Sequence, residues 1–264
     1  MTTAPTATAE QSAESSLDAD ERDARRGLAG YVAMPVFLAA VVAALVTWLH
    51  VRGLRPSEKR LLQPGALASD TLRHLELAAV STVAVLAIAL PLGILLTRQF
   101  ARAITPPAIS TFNIGQAVPS IGLIALFAIV WDIGFWPVVA ALVAYTVLPV
   151  LRNTMVGLRQ VDHSIIESAR GMGMTKTAVL FRIELPLVVP IIMAGLRTAL
   201  TLCVGTATLG AFVGAGGLGL QIVAGIVQNR PVITITGAVL VAVLALLIDY
   251  LAGIAEDLLH PKGL

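Results

Sequence analysis

Several places in this chain carry residue types whose spacing could do chemistry. Gly171-Met-Gly-Met-Thr-Lys-Thr177 has glycines, a lysine and hydroxyls in the manner of a phosphate-binding loop, but it lacks the glycine directly before Lys176. A working loop of that kind also needs a preceding strand, and none is expected here. Gly214, Gly216 and Gly219 have GxGxxG spacing. That pattern cradles a pyrophosphate only between a strand and a helix, whereas here it follows a long apolar run. A tight turn or close helix contact is the expected role, and Gly210 with Gly214 forms a GxxxG pair that permits close packing. Arg197 and Asp249 are charges inside apolar runs, where an ionisable residue points to function by default. Arg197 either serves function, as in lining a path, or snorkels towards the cytoplasm, or makes a structural pair such as one with Asp249. Trp131, Phe135 and Trp136 either attract a quaternary ammonium ion through their ring faces or belong to an interfacial belt. His50, His74, His163 and His260 are scattered without metal-ligand spacing, and the single Cys203 can form no internal disulfide. No pair of groups is spaced for covalent catalysis, so neither a metalloenzyme nor a membrane-embedded enzyme is expected.

The elements that must position these residues follow from composition. Of the 264 residues, 57% are hydrophobic and 13% charged, about half the charged share that a soluble domain uses to cover its surface. The apolar surface must therefore face lipid. The net charge of +2 comes with no basic block interleaved with aromatics, so nucleic acid is not an expected partner. Residues 1–27 are rich in Ala, Thr, Ser, Glu and Asp and lack apolar periodicity. Such a segment cannot bury enough surface to offset its ordering entropy, which predicts a disordered tail. The first apolar stretch starts near Leu28 rather than directly after a basic start, so a signal peptide is not expected.

Apolar stretches of about 20 residues, the length that crosses a hydrocarbon core, occur at Leu28–His50, Leu77–Leu96, Ala108–Trp131, Ile133–Leu151, within Leu185–Phe212, and at Val232–Leu251. Backbone polar groups in lipid must pair internally, so these read as six helices, kinked by Pro91, Pro119, Pro149 and Pro190. The expected fold is an all-α membrane protein, with a transmembrane domain over residues 28–258 and a short tail at 259–264. The first half of the third stretch is polar. Asn113, Gln116 and Ser120 could line a polar path, or they could hydrogen-bond between helices. With six spans, eleven Lys and Arg fall on the side of both termini and six on the other, which favours both termini in the cytoplasm. The first outer loop dissents, since it holds five of those six.

The polar stretch between the fourth and fifth spans runs from Asp162 to Pro186. Ser164 and Glu167 have the spacing of a capping box and would start a short helix. Gly171 and Gly173 would end it, and Thr175 would cap a second. Pro186 would open the fifth span. The expected product is a compact glycine-hinged knob on the membrane surface, suited to docking another protein.

These residues resemble the coupling motif in permease subunits of ATP-binding-cassette importers. That motif runs Glu-Ala-Ala, three residues, Gly, nine residues, Ile, one residue, Leu-Pro. Glu167, Ser168, Ala169, Gly173, Ile183, Leu185 and Pro186 stand at that spacing, with Ser168 for the first alanine as the departure. Further similarity spans about Leu75 to Asp249. Asn113-Ile-Gly-Gln-Ala-Val-Pro-Ser120, Tyr145-Thr-Val-Leu-Pro-Val-Leu-Arg-Asn-Thr154 and Gly214-Ala-Gly-Gly-Leu-Gly219 look like the osmoprotectant branch, whose members move glycine betaine, choline, carnitine or proline betaine. The resemblance implies a type I importer permease fold in a bacterial inner membrane, with a coupling loop at residues 157–186 seated on an ATPase. It also implies a second permease subunit, identical or paralogous, and a separate extracellular or periplasmic binding protein, for which 264 residues leave no room. No true P-loop occurs in the chain, so ATP and Mg are expected on the partner ATPase. Permeases for methionine, nitrate or sulfonate share the loop but less of the rest, and remain an alternative cargo class. An ion-coupled secondary transporter would want carboxylates near mid-membrane and internal repeats, and Asp249 is the one span carboxylate on offer.

Overall fold

A computed structural model of the chain describes residues 28–259, which are helical with short connections and contain no strand. The tail expected at 1–27 and residues 260–264 of the tail expected at 259–264 lie outside the described residues, while Leu259 is still helical. Helix α1 (Leu28–Arg52) carries Pro35 inside it. It leaves Val32, Val36 and Phe37 more than half exposed, as a helix solvated by hydrocarbon does.

From residue 49 onward the chain forms one unit. A short helix α2 (Pro56–Leu61) leads into α3 (Pro64–Thr97), each entered by a proline in its first turn, where the missing N–H has no partner to lose. Then come α4 (Thr105–Ala117), α5 (Ser120–Val130) and α6 (Phe135–Gln160). The polar connection holds α7 (His163–Gly171), the four-residue α8 (Lys176–Val179) and a π-helical turn over Leu180–Glu184. Next follow α9 (Leu185–Ala207), a 3-10 turn at Thr208–Val213, α10 (Gly219–Val227) and α11 (Pro231–Leu259).

Helix α6 is the spine. It packs along α3, α9, α4 and α5, and more than half of its most apolar stretch is buried. Toward its C-terminal end, Val147, Leu148, Val150, Leu151 and Met155 meet Val85, Ala89 and Leu96 of α3 and Ala199 of α9. Toward its start, Val138, Ala141 and Leu142 meet Leu77, Leu123, Ile124 and Ala207. A second contact layer joins Ala78 and Val204 to Leu218 and Leu244.

The described residues contain five helices long and apolar enough to cross a membrane, and six if the α4–α5 pair counts as one broken span. That pair replaces the single third helix expected over Ala108–Trp131. It bends by 97° at Val118, which is extended (φ −73°, ψ 133°), and Pro119. Proline's ring pushes the preceding residue out of the helical region, and the chain turns there rather than kinking. Pro91, Pro149 and Pro190 sit instead within continuous helices. The other spans start earlier or end later than their apolar cores, notably α3, which begins at Pro64 rather than Leu77. α10 was not anticipated.

Candidate functional site

The knob between α6 and α9 is built from local signals. Asp162, not Ser164, is the N-cap of α7, its carboxylate accepting the Ser164 N–H at 2.8 Å. The Ser164–Glu167 capping box expected above does not form. Asp162 lies two residues earlier and starts the helix there, and Glu167 meets His163 one turn back at 3.1 Å. The Ser164 N–H bond holds the Asp162 carboxyl below the usual carboxylate range, with the Ser164 hydroxyl and the adjacent His163 adding to it. At the other end, Gly173 takes φ +88°. Its N–H donates to Arg170 O at 3.0 Å, and the Met174 N–H donates to Ala169 O at 3.2 Å. This is a Schellman closure with Gly173 at the left-handed position. Thr175 then caps α8, its hydroxyl accepting the Ala178 N–H at 3.2 Å. The second helix does not stand apart: it runs through the π turn into α9, with Pro186 in the first turn of α9.

This arrangement sorts the motif residues into two groups. Ala169 is buried, and Ile183 and Leu185 are half-buried, tying the knob to the helices above. Glu167, Ser168, Gly173 and Pro186 are exposed. Ile165, Ser168 and Met172 share one exposed face at i, i+3, i+7 spacing, and Met172 is 77% exposed. A methionine held out this far is an adaptable apolar contact. Between the motif positions lies Glu184, almost fully buried, which accepts Arg98 Nη2 at 2.9 Å. Arg98 follows α3, so this pair ties the end of that span to the knob. Motif reading passed over Glu184 because it sits at an unspecified position, and its one signal was a carboxylate just before an apolar span.

The four residues proposed for a path are not brought together as one cluster. Asn113, Gln116 and Ser120 stay around the elbow, half-buried. Asn113 Oδ1 accepts Arg152 Nη2 at 2.6 Å, so one of the three does form a contact between helices. Gly115 lies so close to α6 that a Cβ there would come within 2.7 Å of Ala144 O. Arg197 is elsewhere, forked onto Asp249 of α11 at 2.5 and 2.7 Å, with Glu256 two turns further along at 3.9 Å.

At the end of the bundle far from the knob, the glycine-rich segment makes a turn, with φ of +72°, +87° and +84° at Gly214, Gly216 and Gly217. Residues that sequence reading had not singled out brace it. Arg73 Nε donates to Ala215 O at 3.1 Å, and Arg73 lies 4.2 Å above the Phe135 ring. His74, fully buried, sits against Gly217 and reaches Val204 O at 2.9 Å. Gln221 donates to Asp70. All four depend on contacts across long stretches of chain, which no local spacing reveals.

A helical membrane bundle with a broken span and a capped knob between two spans defines the class: the type I permease fold of ATP-binding-cassette importers. The sequence matches the family described as "Binding-protein-dependent transport system inner membrane component" over residues 89–262, and the chain belongs to that family. It is 40% identical over 200 residues to the choline transport system permease protein OpuBB of Bacillus subtilis, covering 76% of this chain and 91% of that one. It is 35% identical over 205 residues to the osmoprotectant import permease protein OsmW of Salmonella typhimurium, covering 76% and 94%. Among solved structures, an inward-facing form of the MetNI methionine ABC transporter superposes with a TM-score of 0.64 at 25% identity, over 73% of this chain and 95% of that one. An amino acid ABC transporter with histidines matches in fold, with a TM-score of 0.59.

Proposed function

We propose that the chain imports quaternary-ammonium osmoprotectants such as choline, carnitine or glycine betaine, as one permease subunit of an assembly whose ATPase is a separate chain. The observation that carries the cargo is the similarity to permeases named for choline and osmoprotectant import, which extends over most of the relatives' length. The elbow counts as one broken span, giving six crossings of the bacterial inner membrane, and both termini lie in the cytoplasm with the knob. ATPases, which bind ATP and Mg, receive the exposed face of α7 carrying Glu167 and Ser168. Their closure moves α9 through Ile183, Leu185 and Pro186 and moves α3 through the Glu184–Arg98 pair. A loaded binding protein docks on the opposite side, and a second permease subunit completes the path. Asn113, Gln116 and Ser120 face that path at the elbow. Arg197 braces α9 against α11 beside it.

The test is uptake of radiolabelled choline and glycine betaine by proteoliposomes holding this chain with its neighbouring ATPase and binding protein. Accumulation that requires ATP and is lost on Glu167→Arg is the expected result. ATP-dependent uptake of methionine or another small solute instead would remove the cargo. Uptake driven by an ion gradient and indifferent to ATP would remove the mechanism.

A further inference from the structure

The crook of the elbow holds a crevice of about 370 Å³. Ala84 and Ile88 of α3 line one side, Phe112 of α4 and Phe127 of α5 line the two arms of the elbow, Trp131 follows the end of α5, and Trp136 stands on α6. The whole chain has 3 Trp, 3 Tyr and 7 Phe, so four aromatic rings meeting in one place is a concentration that the sparse composition does not predict. Phe127 of α5 and Trp131 just past its end both line the crevice, and Phe112 and Gln116 are one turn apart on α4. Trp136 is steadied by Phe135, edge-to-face at 5.3 Å and 87°, and Phe135 in turn carries the Arg73 guanidinium on its face. Asp132, next in the chain after Trp131, is an exposed carboxylate.

We propose that this crevice seats the trimethylammonium head of the cargo during passage through the permease, a proposal that rests on the osmoprotectant reading. The lining is aromatic and aliphatic, with almost no polar surface. A quaternary ammonium ion has no N–H to satisfy, spreads its charge over methyl groups, and is held by ring faces. A primary ammonium in the same place would leave its donors unpaired, which is costly away from water. The crevice therefore accepts choline or a betaine and refuses an ordinary amino acid. The 97° bend is what lets rings from both arms of the broken span converge, and Gln116, on the same face of α4 as Phe112, supplies a polar group for the cargo's hydroxyl or carboxylate end.

The chain has three tryptophans, so a Trp48→Phe background leaves Trp131 and Trp136 as reporters in the full chain in nanodiscs. Titration with choline is expected to change their fluorescence saturably. The uncharged isostere 3,3-dimethylbutan-1-ol is expected to leave it unchanged, and Phe127→Leu to weaken the choline response by about fivefold. In the assembled transporter, Trp136→Leu is expected to raise the KM for choline. Equal responses to choline and the isostere would overturn the proposal, as would quenching by brominated phosphatidylglycerol that choline does not relieve. The first would make the crevice a plain apolar hollow and the second a lipid seat. If the assembly imports choline and these variants leave its KM unchanged, the crevice reading alone fails; if it imports no quaternary ammonium, the cargo reading fails with it.

Discussion

The α7–α8 knob and the α4–α5 elbow both interrupt a helical path, but they are made in opposite ways. The knob is closed by bonds between residues no more than five apart: Asp162 to Ser164, Ala169 to Met174, Thr175 to Ala178. The elbow has a local trigger in Pro119, but what holds its arms at 97° is packing of Phe112 and Ile124 against distant parts of α3, α6 and α9. Short-range bonds make the knob rigid by its own chain, which suits the docking proposed for it. A part that shapes an interior is given its angle by its neighbours, and can change angle when they move.

The largest expected effect is at Gly173. No heavy atom lies within 4 Å of a Cβ built there, so any cost comes from its φ of +88°, which disfavours a non-glycine residue by about 1–2 kcal/mol. Activity should fall in the order Gly, Asn, Ala, Val, because asparagine tolerates the left-handed region and a β-branched residue does not. Gly173→Val should reduce ATP-driven uptake by about tenfold or more, since a strained closure turns the docking face away. A protease-protection pattern unchanged from the parent would show that insertion is intact. Equal activity of the Asn and Val variants would mean the knob does not rely on its own closure.

Next is the Arg98–Glu184 pair, which joins the locally made region to the packed one. Removing one partner of a buried pair strands the other, but Arg98 is 35% exposed, so the loss is discounted to about 1–2 kcal/mol. Arg98→Glu alone should lower the melting temperature in detergent and raise ATP consumed per molecule imported. The double variant Arg98→Glu with Glu184→Arg should recover most of both. Recovery of melting temperature without recovery of coupling would confine the pair to a structural part.

Smaller still is Pro119→Ala. If neighbours hold the elbow, removing the ring leaves the bend in place. Spin labels at Thr111 and Ile129 would then stay well short of the ~27 Å that a straight helix puts between them. A distance near that value would make the elbow as local as the knob.

This division also explains what could be read from the residues alone. The motif from Glu167 to Pro186, the apolar spans and the capping threonine depend on neighbours in sequence and were legible. The cap falls at Asp162 rather than Ser164 because two residues able to start the helix stand two positions apart, and spacing alone does not rank them. The elbow was read as a kinked helix, since Pro119 looks no different from Pro91 or Pro149 until packing is known. Arg197 and Asp249 can be suspected as a pair because both are charges inside apolar runs, whereas Arg73 and His74 meet the glycine turn, and Gln221 meets Asp70, across more than 140 positions of chain and give no local sign.

The smallest effect is the one with the sharpest sign. The Asp162 carboxyl is held below its ordinary range by the bond from Ser164, so it binds a proton less readily in the folded knob than in an unfolded chain. Its contribution is therefore fully present above the ordinary carboxylate range and is lost as pH falls through the lowered folded value. Amide exchange at 163–166, followed from about pH 7 down to about pH 3 and corrected for the intrinsic pH dependence of exchange, should show protection steady at first and falling only at the acid end. Asp162→Asn keeps an acceptor without the titration, so its protection should be flat over that interval. Asp162→Ala should lower protection several-fold at every pH. Uptake should change little in either variant, because Gly173 and Thr175 still close the far side of the knob. An acid-sensitive profile that survives Asp162→Asn would assign the sensitivity to another group and leave the cap without the part given to it here.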